Sequence, residues 1–223
     1  MNNEFSNVGS GIYTNVFTID ETIFLKKRLS MLPSNYNGPT GNKFSGINET
    51  HILYDWFCKN FFSKIQEIDG PQVKLLFASY LHEIDPWGIH SDYYNKEKGE
   101  PFKAYLIPLS VNDDIGLLDN ASTFVFNEED TFVSDEEHGK KYYNPQNFRL
   151  NMNVKENNAL ITHSSELTHC NTSMLEGVTV QDIYCWEPGS VIWWDEKLLH
   201  CSNNFLLKGV QSKQALVLHT YIN

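Results

Sequence analysis

Residues 187–205 read EPGSVIWWDEKLLHCSNNF. Pro188 and Gly189 make a turn, and residues 190–194 follow as a β-branched and aromatic run with the texture of a buried strand. The chain then turns polar at Asp195, Glu196 and Lys197 and soon reaches His200, which small polar residues follow. A histidine carried straight out of an aromatic core serves either as a packing residue or as a metal ligand at the mouth of a barrel.

The chain around this stretch has 223 residues, a length that suits one large domain when the strands are short and many. Apolar residues make up 41 %, enough for a packed core. The net charge is -11 and no basic cluster is larger than Lys26-Lys27-Arg28, which argues against a nucleic-acid partner. Cys58, Cys170, Cys185 and Cys201 form no CxxC pair and read as free thiols of a reducing compartment. The first residues show no basic and apolar leader, and no apolar run approaches the roughly 20 residues of a membrane span. The expectation is an intracellular, cytoplasmic protein with no membrane partner.

Residues 20–32 carry helical spacing, with Asp20 placed to cap, and residues 33–48, rich in Pro, Gly and Asn, read as a loop. Residues 49–68 place Ile52, Leu53, Trp56, Phe57, Phe61, Ile65 and Ile68 at the spacing of an amphipathic helix, ended by Gly70-Pro71. From 72 onward the texture is short strands: VKLLFASYL, FKAYLIPLS, STFVFN, VTVQDIYCW, SVIWW and KQALVLHTYI. Residues 128–175 form a less regular insertion. It holds an acidic run (Glu128, Glu129, Asp130, Asp135, Glu136, Glu137) that reads as a solvated face, and a Tyr-Tyr-Asn-Pro turn. Helices followed by many strands predict a sandwich or small barrel with helices on one face.

Upstream of the opening stretch lies WGIHSDYY, where His90 and Asp92 are two apart. On a strand, such residues share a face about 7 Å apart and can chelate one cation. By itself the pair is a weak signal. His200 supplies a third donor, and two His with one carboxylate are the facial triad of non-haem Fe(II) oxygenases. That set leaves three positions open, two for a 2-oxo acid and one for O2. The far carboxylate of such a co-substrate needs a cation, and Lys213 opens the otherwise apolar KQALVLHTY. Lys103 is its competitor.

The segments YLHEIDPWGIHSDYY, EPGSVIWWDEKLLHCSNNF and KQALVLHT, in this order, resemble the 2-oxoglutarate/Fe(II)-dependent dioxygenase superfamily over roughly residues 74–221. The resemblance implies a mainly β fold, a double-stranded β-helix (jelly roll) with N-terminal helices packed on one face. It implies one domain over 1–223, with a helical part at about 1–70 and a jelly-roll core at about 72–223. His90, Asp92 and His200 match the family's iron ligands, and Lys213 the residue that grips 2-oxoglutarate. Most members use Arg there; Lys is similar to the prolyl-hydroxylase branch. Ala215 stands where a Ser often follows, which removes a second carboxylate contact. Tyr80, ten residues before His90, matches a Tyr that hydrogen-bonds the co-substrate. The activity implied is hydroxylation of a small-molecule or peptide substrate with O2, Fe(II) and 2-oxoglutarate, releasing succinate and CO2.

The alternative is a non-catalytic cupin-like barrel that keeps a metal for structure; such a site wants a fourth protein ligand. Trp193 and Trp194 face opposite sides of their strand and read as packing residues. His219 falls on the Lys213 face and reads as a core histidine. His163, His169 and Cys170 fit no standard zinc spacing and read as loop residues. Substrate contacts are expected on rim segments 33–48, 93–101 and 128–178.

Overall fold

The computed structural model describes residues 9–34, 36–37, 42–92, 99–129, 133–135, 140–142, 159–176 and 178–222. Its frame is antiparallel β. Seven strands form the larger sheet: β1 (Ser10–Tyr13), β2 (Tyr36–Asn37), β3 (Lys43–Asn48), β4 (Val73–Glu83), β5 (Glu100–Val111), β10 (Val191–Asp195) and β12 (Lys213–Ile222). They lie in the order β1-β10-β5-β12-β4-β3-β2. A smaller sheet, in the order β11-β6-β9, joins β6 (Ser122–Glu129), β9 (Val180–Cys185) and β11 (Leu198–Ser202). A hairpin of β7 (Val133–Asp135) and β8 (Lys140–Tyr142) stands apart. This is the mainly β jelly roll that the sequence resemblance implied.

Alternation along the strands gives the larger sheet two apolar faces. One face, with Tyr105, Ile107, Leu216 and Leu218, packs against Leu25, Phe57, Phe61 and Ile65 of the N-terminal helices. The other, with Leu106, Ile192, Trp194 and Val217, faces Val125 and Leu198 of the smaller sheet. Each fully buried Leu, Ile or Phe contributes about 1.5–3 kcal/mol of transfer energy, so both layers are strongly held. Among the described residues, no helix is long and apolar enough to cross a membrane.

Helix α1 (Ile19–Leu29) begins earlier than the sequence suggests. Its cap is Thr18, not Asp20: the Thr18 hydroxyl accepts from the Glu21 amide at 3.2 Å, and the Glu21 carboxylate accepts from the Thr18 amide at 2.8 Å. The second helical region runs from Tyr54 to Asp69 as α2 (Tyr54–Phe57), a wider π-turn (Cys58–Phe62) and α3 (Ser63–Asp69). Residues 49–53 stay out of it. Asn48 Oδ1 accepts from the Thr50 amide and His51 Nδ1 from the Leu53 amide, and these bonds favour a turn. Ile52 is accordingly 93 % exposed rather than part of an apolar stripe. The π-turn accommodates two consecutive buried aromatics, Phe61 and Phe62. Gly70, at φ 100°, ends the helix.

The segment 33–48 is not all loop. Lys43–Asn48 forms β3, paired with β4 from Lys43↔His82 to Asn48↔Phe77. The backbone groups of β4 need partners on both sides, and that need outweighs the weak strand propensity of KFSGIN.

Lys103, the competing cation, lies on the helix side of the sheet. Its ammonium is 2.6 Å from Asp69 Oδ1 at the end of α3, 3.2 Å from the Tyr13 hydroxyl and 4.0 Å over the Trp193 ring. Asp69→Asn should destabilise the protein by about 2–3 kcal/mol, the low side of a broken buried pair, because the ring faces still hold the ammonium. Urea unfolding checks this; an unchanged midpoint would mean that the pair contributes nothing net.

Candidate functional site

The quoted stretch 187–205 holds two strands, β10 and, beyond the run at 190–194, β11. Gly189, at φ 74°, begins the first: a Cβ there would collide with the Phe17 carbonyl, and its own carbonyl accepts from the Val16 and Phe17 amides. β10 then crosses the larger sheet, Glu196-Lys197 turn the chain, and β11 continues in the smaller sheet against β6. His200 therefore sits on a strand of its own.

His90 and Asp92 are not on a regular strand either. His90 forms an isolated antiparallel bridge to His200: the His90 amide donates to the His200 carbonyl at 3.0 Å, and the His200 amide to the His90 carbonyl at 2.8 Å. Such a pair sets two side chains next to each other, and the ring centroids are 4.3 Å apart. Asp92 follows two residues later, 9 % exposed. Donor atoms of His90, Asp92 and His200 all lie within 4.8 Å of one another.

Each imidazole is fixed from behind. His90 Nδ1 lies 2.8 Å from the Gly88 carbonyl and His200 Nδ1 3.1 Å from the Leu198 carbonyl. A carbonyl only accepts, so Nδ1 carries a proton in each ring and Nε2 is the nitrogen turned outward. Both Nε2 atoms point at Asp92, at 3.9 Å from Oδ1 for His90 and 3.3 Å from Oδ2 for His200. Asp92 Oδ2 is buried and has no hydrogen-bond partner among the described residues. Two ring nitrogens and a buried carboxylate oxygen without a partner thus converge, which is costly for that oxygen unless a cation joins them. Burial, opposed in part by Asp92, pushes the His200 imidazole down to about 4, so its lone pair is available at neutral pH. At Asp92, burial works against ionisation. The surrounding imidazoles of His200, His219 and His90, with the Trp194 indole, outweigh it and hold the carboxyl below its usual range. The residues present therefore fit a divalent cation.

The triad borders a cavity of about 450 Å³ between the sheets, mostly apolar, with Phe44 and Trp87 edge to face at 5.5 Å. Trp194 lies against the His200 ring at 4.4 Å, so it supports a site residue as well as the core. His219 also lines the cavity, stacked on Phe77 at 4.3 Å. Behind it Glu196, 1 % exposed, lies 3.8 Å from His219 Nδ1 and accepts from the Thr220 amide at 3.0 Å.

Burial, with the Asp92 charge second, pushes the Glu196 carboxyl from its ordinary 4.5 up to about 9. Between those values the folded metal-free chain holds a proton that the unfolded chain has released, so this group's contribution to stability falls as pH rises. The slope is at most about 1.4 kcal/mol per pH unit. Glu196→Gln should remove that slope and leave the apoprotein more stable than wild type at pH 8. Urea melts from pH 6 to 9 test this, and identical slopes in the two proteins would refute it.

Lys213 reaches the cavity, 3 % exposed, with its ammonium over the Trp186 and Phe205 rings at 4.7 and 5.4 Å. It is not unpaired as the sequence suggests. Glu83, its cross-strand neighbour, places Oε2 2.8 Å from Nζ, although the angles are too poor for a hydrogen bond at that oxygen. Glu83 is the residue that sequence reading missed. It closes the apolar strand VKLLFASYLHE, yet only the β4–β12 register shows what it faces.

Tyr80 is not brought to the cavity. Ser79, Leu81 and Glu83 point there, whereas Tyr80 points into the helix-side core and donates to Gln214 Oε1 at 2.8 Å. The face of a strand changes with every residue, and ten residues of spacing do not specify it. Of the rim segments, residues 35, 38–41 and 93–98 lie outside the described residues. So do most of 130–158, including Asp130, Glu136, Glu137 and much of the Tyr-Tyr-Asn-Pro turn. Glu128 is no purely solvated charge, since its carboxylate accepts from the Thr179 amide at 2.7 Å.

No protein-family model matches the sequence, and no curated protein matches it. Solved structures do resemble it. A prolyl-4-hydroxylase from Pseudomonas putida is 8 % identical, with a TM-score of 0.50, covering 97 % of this chain and 94 % of that one. HygX from Streptomyces hygroscopicus, with nickel and 2-oxoglutarate bound, is 12 % identical at TM-score 0.53, covering 98 % and 85 %. An oxidoreductase of the 2OG-Fe(II) oxygenase family from Burkholderia pseudomallei is 10 % identical at TM-score 0.53, covering 96 % and 85 %. Identity this low speaks for architecture alone. The chain has the fold of the 2-oxoglutarate/Fe(II) oxygenases, and within it a His-x-Asp…His cluster.

Proposed function

We propose that this chain is a 2-oxoglutarate- and Fe(II)-dependent dioxygenase that hydroxylates a small-molecule or peptide substrate. The observation that carries the reading is the convergence of two backbone-tethered imidazoles on the buried Asp92 carboxylate, whose Oδ2 has no donor among the described residues. His90, Asp92 and His200 would hold the metal. When bound, Fe(II) and 2-oxoglutarate supply an O2-dependent oxidation coupled to decarboxylation, with release of succinate and CO2.

The chain's own residues do the rest. The Gly88 and Leu198 carbonyls fix the two imidazole tautomers. Trp194 supports His200, and the apolar cavity walls exclude water. Lys213 offers the positive charge for the far carboxylate of the co-substrate. Phe44 and Trp87 give the cavity aromatic walls against which a substrate can pack. The helices bury their apolar faces on the larger sheet, which supports treating the whole chain as one oxygenase domain. Free cysteines at 58, 170, 185 and 201 fit a reducing, intracellular setting.

The cupin-like binding barrel is the weaker reading. Among the described residues the cluster holds three donors, and a structural site wants a fourth. The deciding experiment loads the protein with Fe(II) and measures succinate from 2-oxoglutarate under O2, across pools of peptides, amino acids and small acids. Succinate that requires Fe(II) and disappears in His200→Ala is the expected result. No binding of 2-oxoglutarate to the metal-loaded protein would favour the barrel.

A further inference from the structure

A second group of donors meets beside His200. Cys201 is its neighbour on β11, 1 % exposed, and Cys170 is 9 % exposed. Together with a ring nitrogen of His169, their donor atoms all lie within 4.8 Å of one another. His169 Nε2 is 3.4 Å from Cys170 Sγ and 3.0 Å from the Trp87 carbonyl. The other ring nitrogen, Nδ1, is buried and has no hydrogen-bond partner among the described residues. The Ile89 amide donates to Cys170 Sγ, and the two thiols contact each other.

The segment that brings His169 and Cys170 here is well held. The Asn204 amide donates to the Glu166 carbonyl at 2.7 Å, the Asn204 side chain donates to Thr168 Oγ1 at 2.7 Å, and Leu167 is fully buried. The cluster therefore draws its donors from two separated parts of the chain, the 163–170 segment and Cys201 just after His200, and the first of these touches the backbone of Trp87 and Ile89, just before His90.

We propose that His169, Cys170 and Cys201 bind a second metal ion, a thiophilic cation of the Zn(II) class, separate from the oxygenase metal. Two sulfurs and one imidazole suit such an ion, and a water can complete a tetrahedron. Binding forms two metal–sulfur bonds and one metal–nitrogen bond. The two thiol protons leave to solvent, and nothing is oxidised or reduced. With Nε2 donating to the Trp87 carbonyl, the ligand nitrogen would be the partnerless Nδ1, and that carbonyl takes the role of the group behind a metal-bound histidine. A disulfide between Cys170 and Cys201 would leave the imidazole and its unsatisfied nitrogen without a task, which is why the metal is favoured. Once filled, the site ties the chain before His90 to the strand that carries His200.

The test uses Co(II), whose thiolate complexes absorb in the near ultraviolet and, when tetrahedral, strongly in the visible. Fully reduced, metal-free protein is titrated anaerobically, both as wild type and as Asp92→Ala. Asp92→Ala should develop thiolate-to-Co(II) bands that saturate at one equivalent and vanish on adding one equivalent of Zn(II); wild type, whose other site also takes up Co(II), should reach the same band intensity by two equivalents and lose it by two of Zn(II). These bands report sulfur ligation only, so the result stands or falls apart from the oxygenase reading. Cys170→Ser should lose the thiolate bands from that sulfur and the tetrahedral visible signal. His169→Gln, at a half-exposed position that spares the core, should weaken Zn(II) binding at least about 10-fold and decides the matter if Cys170→Ser does not fold. Absence of the bands in reduced wild type overturns the proposal. So does their full survival in Cys170→Ser, an unchanged Zn(II) affinity in His169→Gln, or a Cys170–Cys201 disulfide that forms while reduced protein takes up no Co(II).

Discussion

Asp92→Ala should give a folded protein that no longer binds Mn(II), the redox-stable stand-in for Fe(II), with an affinity loss of at least about 100-fold. Asp92 is the only carboxylate among the three converging donors, and a hard divalent ion favours oxygen ligands and negative charge. The two imidazoles that remain, held by the Gly88 and Leu198 carbonyls, carry no negative charge and cannot replace that of Asp92. Mn(II) is the right probe because it discriminates against the thiol cluster nearby. Electron paramagnetic resonance of free Mn(II) gives stoichiometry and affinity, and circular dichroism confirms the fold. Unchanged Mn(II) stoichiometry in folded Asp92→Ala would remove the assignment of His90, Asp92 and His200 as the metal site.

Lys213→Met should weaken 2-oxoglutarate binding roughly 10- to 100-fold, since a charge-assisted contact is worth about 1.5–3 kcal/mol. The same change should destabilise the protein by about 3–5 kcal/mol, because Glu83 is left buried without its cation. These effects separate in the double variant Lys213→Met/Glu83→Met, which should regain stability and not affinity. Glu83→Gln should tighten 2-oxoglutarate several-fold, as the co-substrate no longer shares the ammonium with a second carboxylate. Lys213→Arg should be intermediate, since the larger fork must fit between Trp186 and Phe205. Calorimetric titration of 2-oxoglutarate into Mn(II)-loaded protein without O2 measures all four. Lys103→Met is the control: it faces Asp69 on the other side of the sheet and should change stability alone. If affinity survives Lys213→Met, the anchor is not Lys213.

Much of the architecture is legible in the sequence. The runs at 73–81, 102–110, 178–186, 190–194 and 213–222 each contain or closely overlap a strand. A strand's preference is written in its own residues, as β-branched and aromatic side chains bounded by turn residues. The helix ending at Gly70 is legible for the same reason, because only glycine enters the required backbone region without strain. His90, Asp92, His200 and Lys213 could be named because metal and anion chemistry restrict the residue types, and the order of the motifs resembles one family.

Pairing and facing are decided only by the tertiary structure. KFSGIN is a strand because β4 offers it unpaired backbone groups. His90 and His200 meet through a two-bond bridge between segments far apart in sequence, not through a shared strand face. Tyr80 and Lys103 lie on the helix side of the larger sheet, and Lys213 and Glu83 on the cavity side. One residue of register would exchange these faces. Cys170 and Cys201 likewise become neighbours only when the 163–170 segment docks beside β11. The physical reason is the same in each case. Local propensity acts over a few residues and is encoded in them, whereas a contact across sheets depends on the register and packing of every strand between.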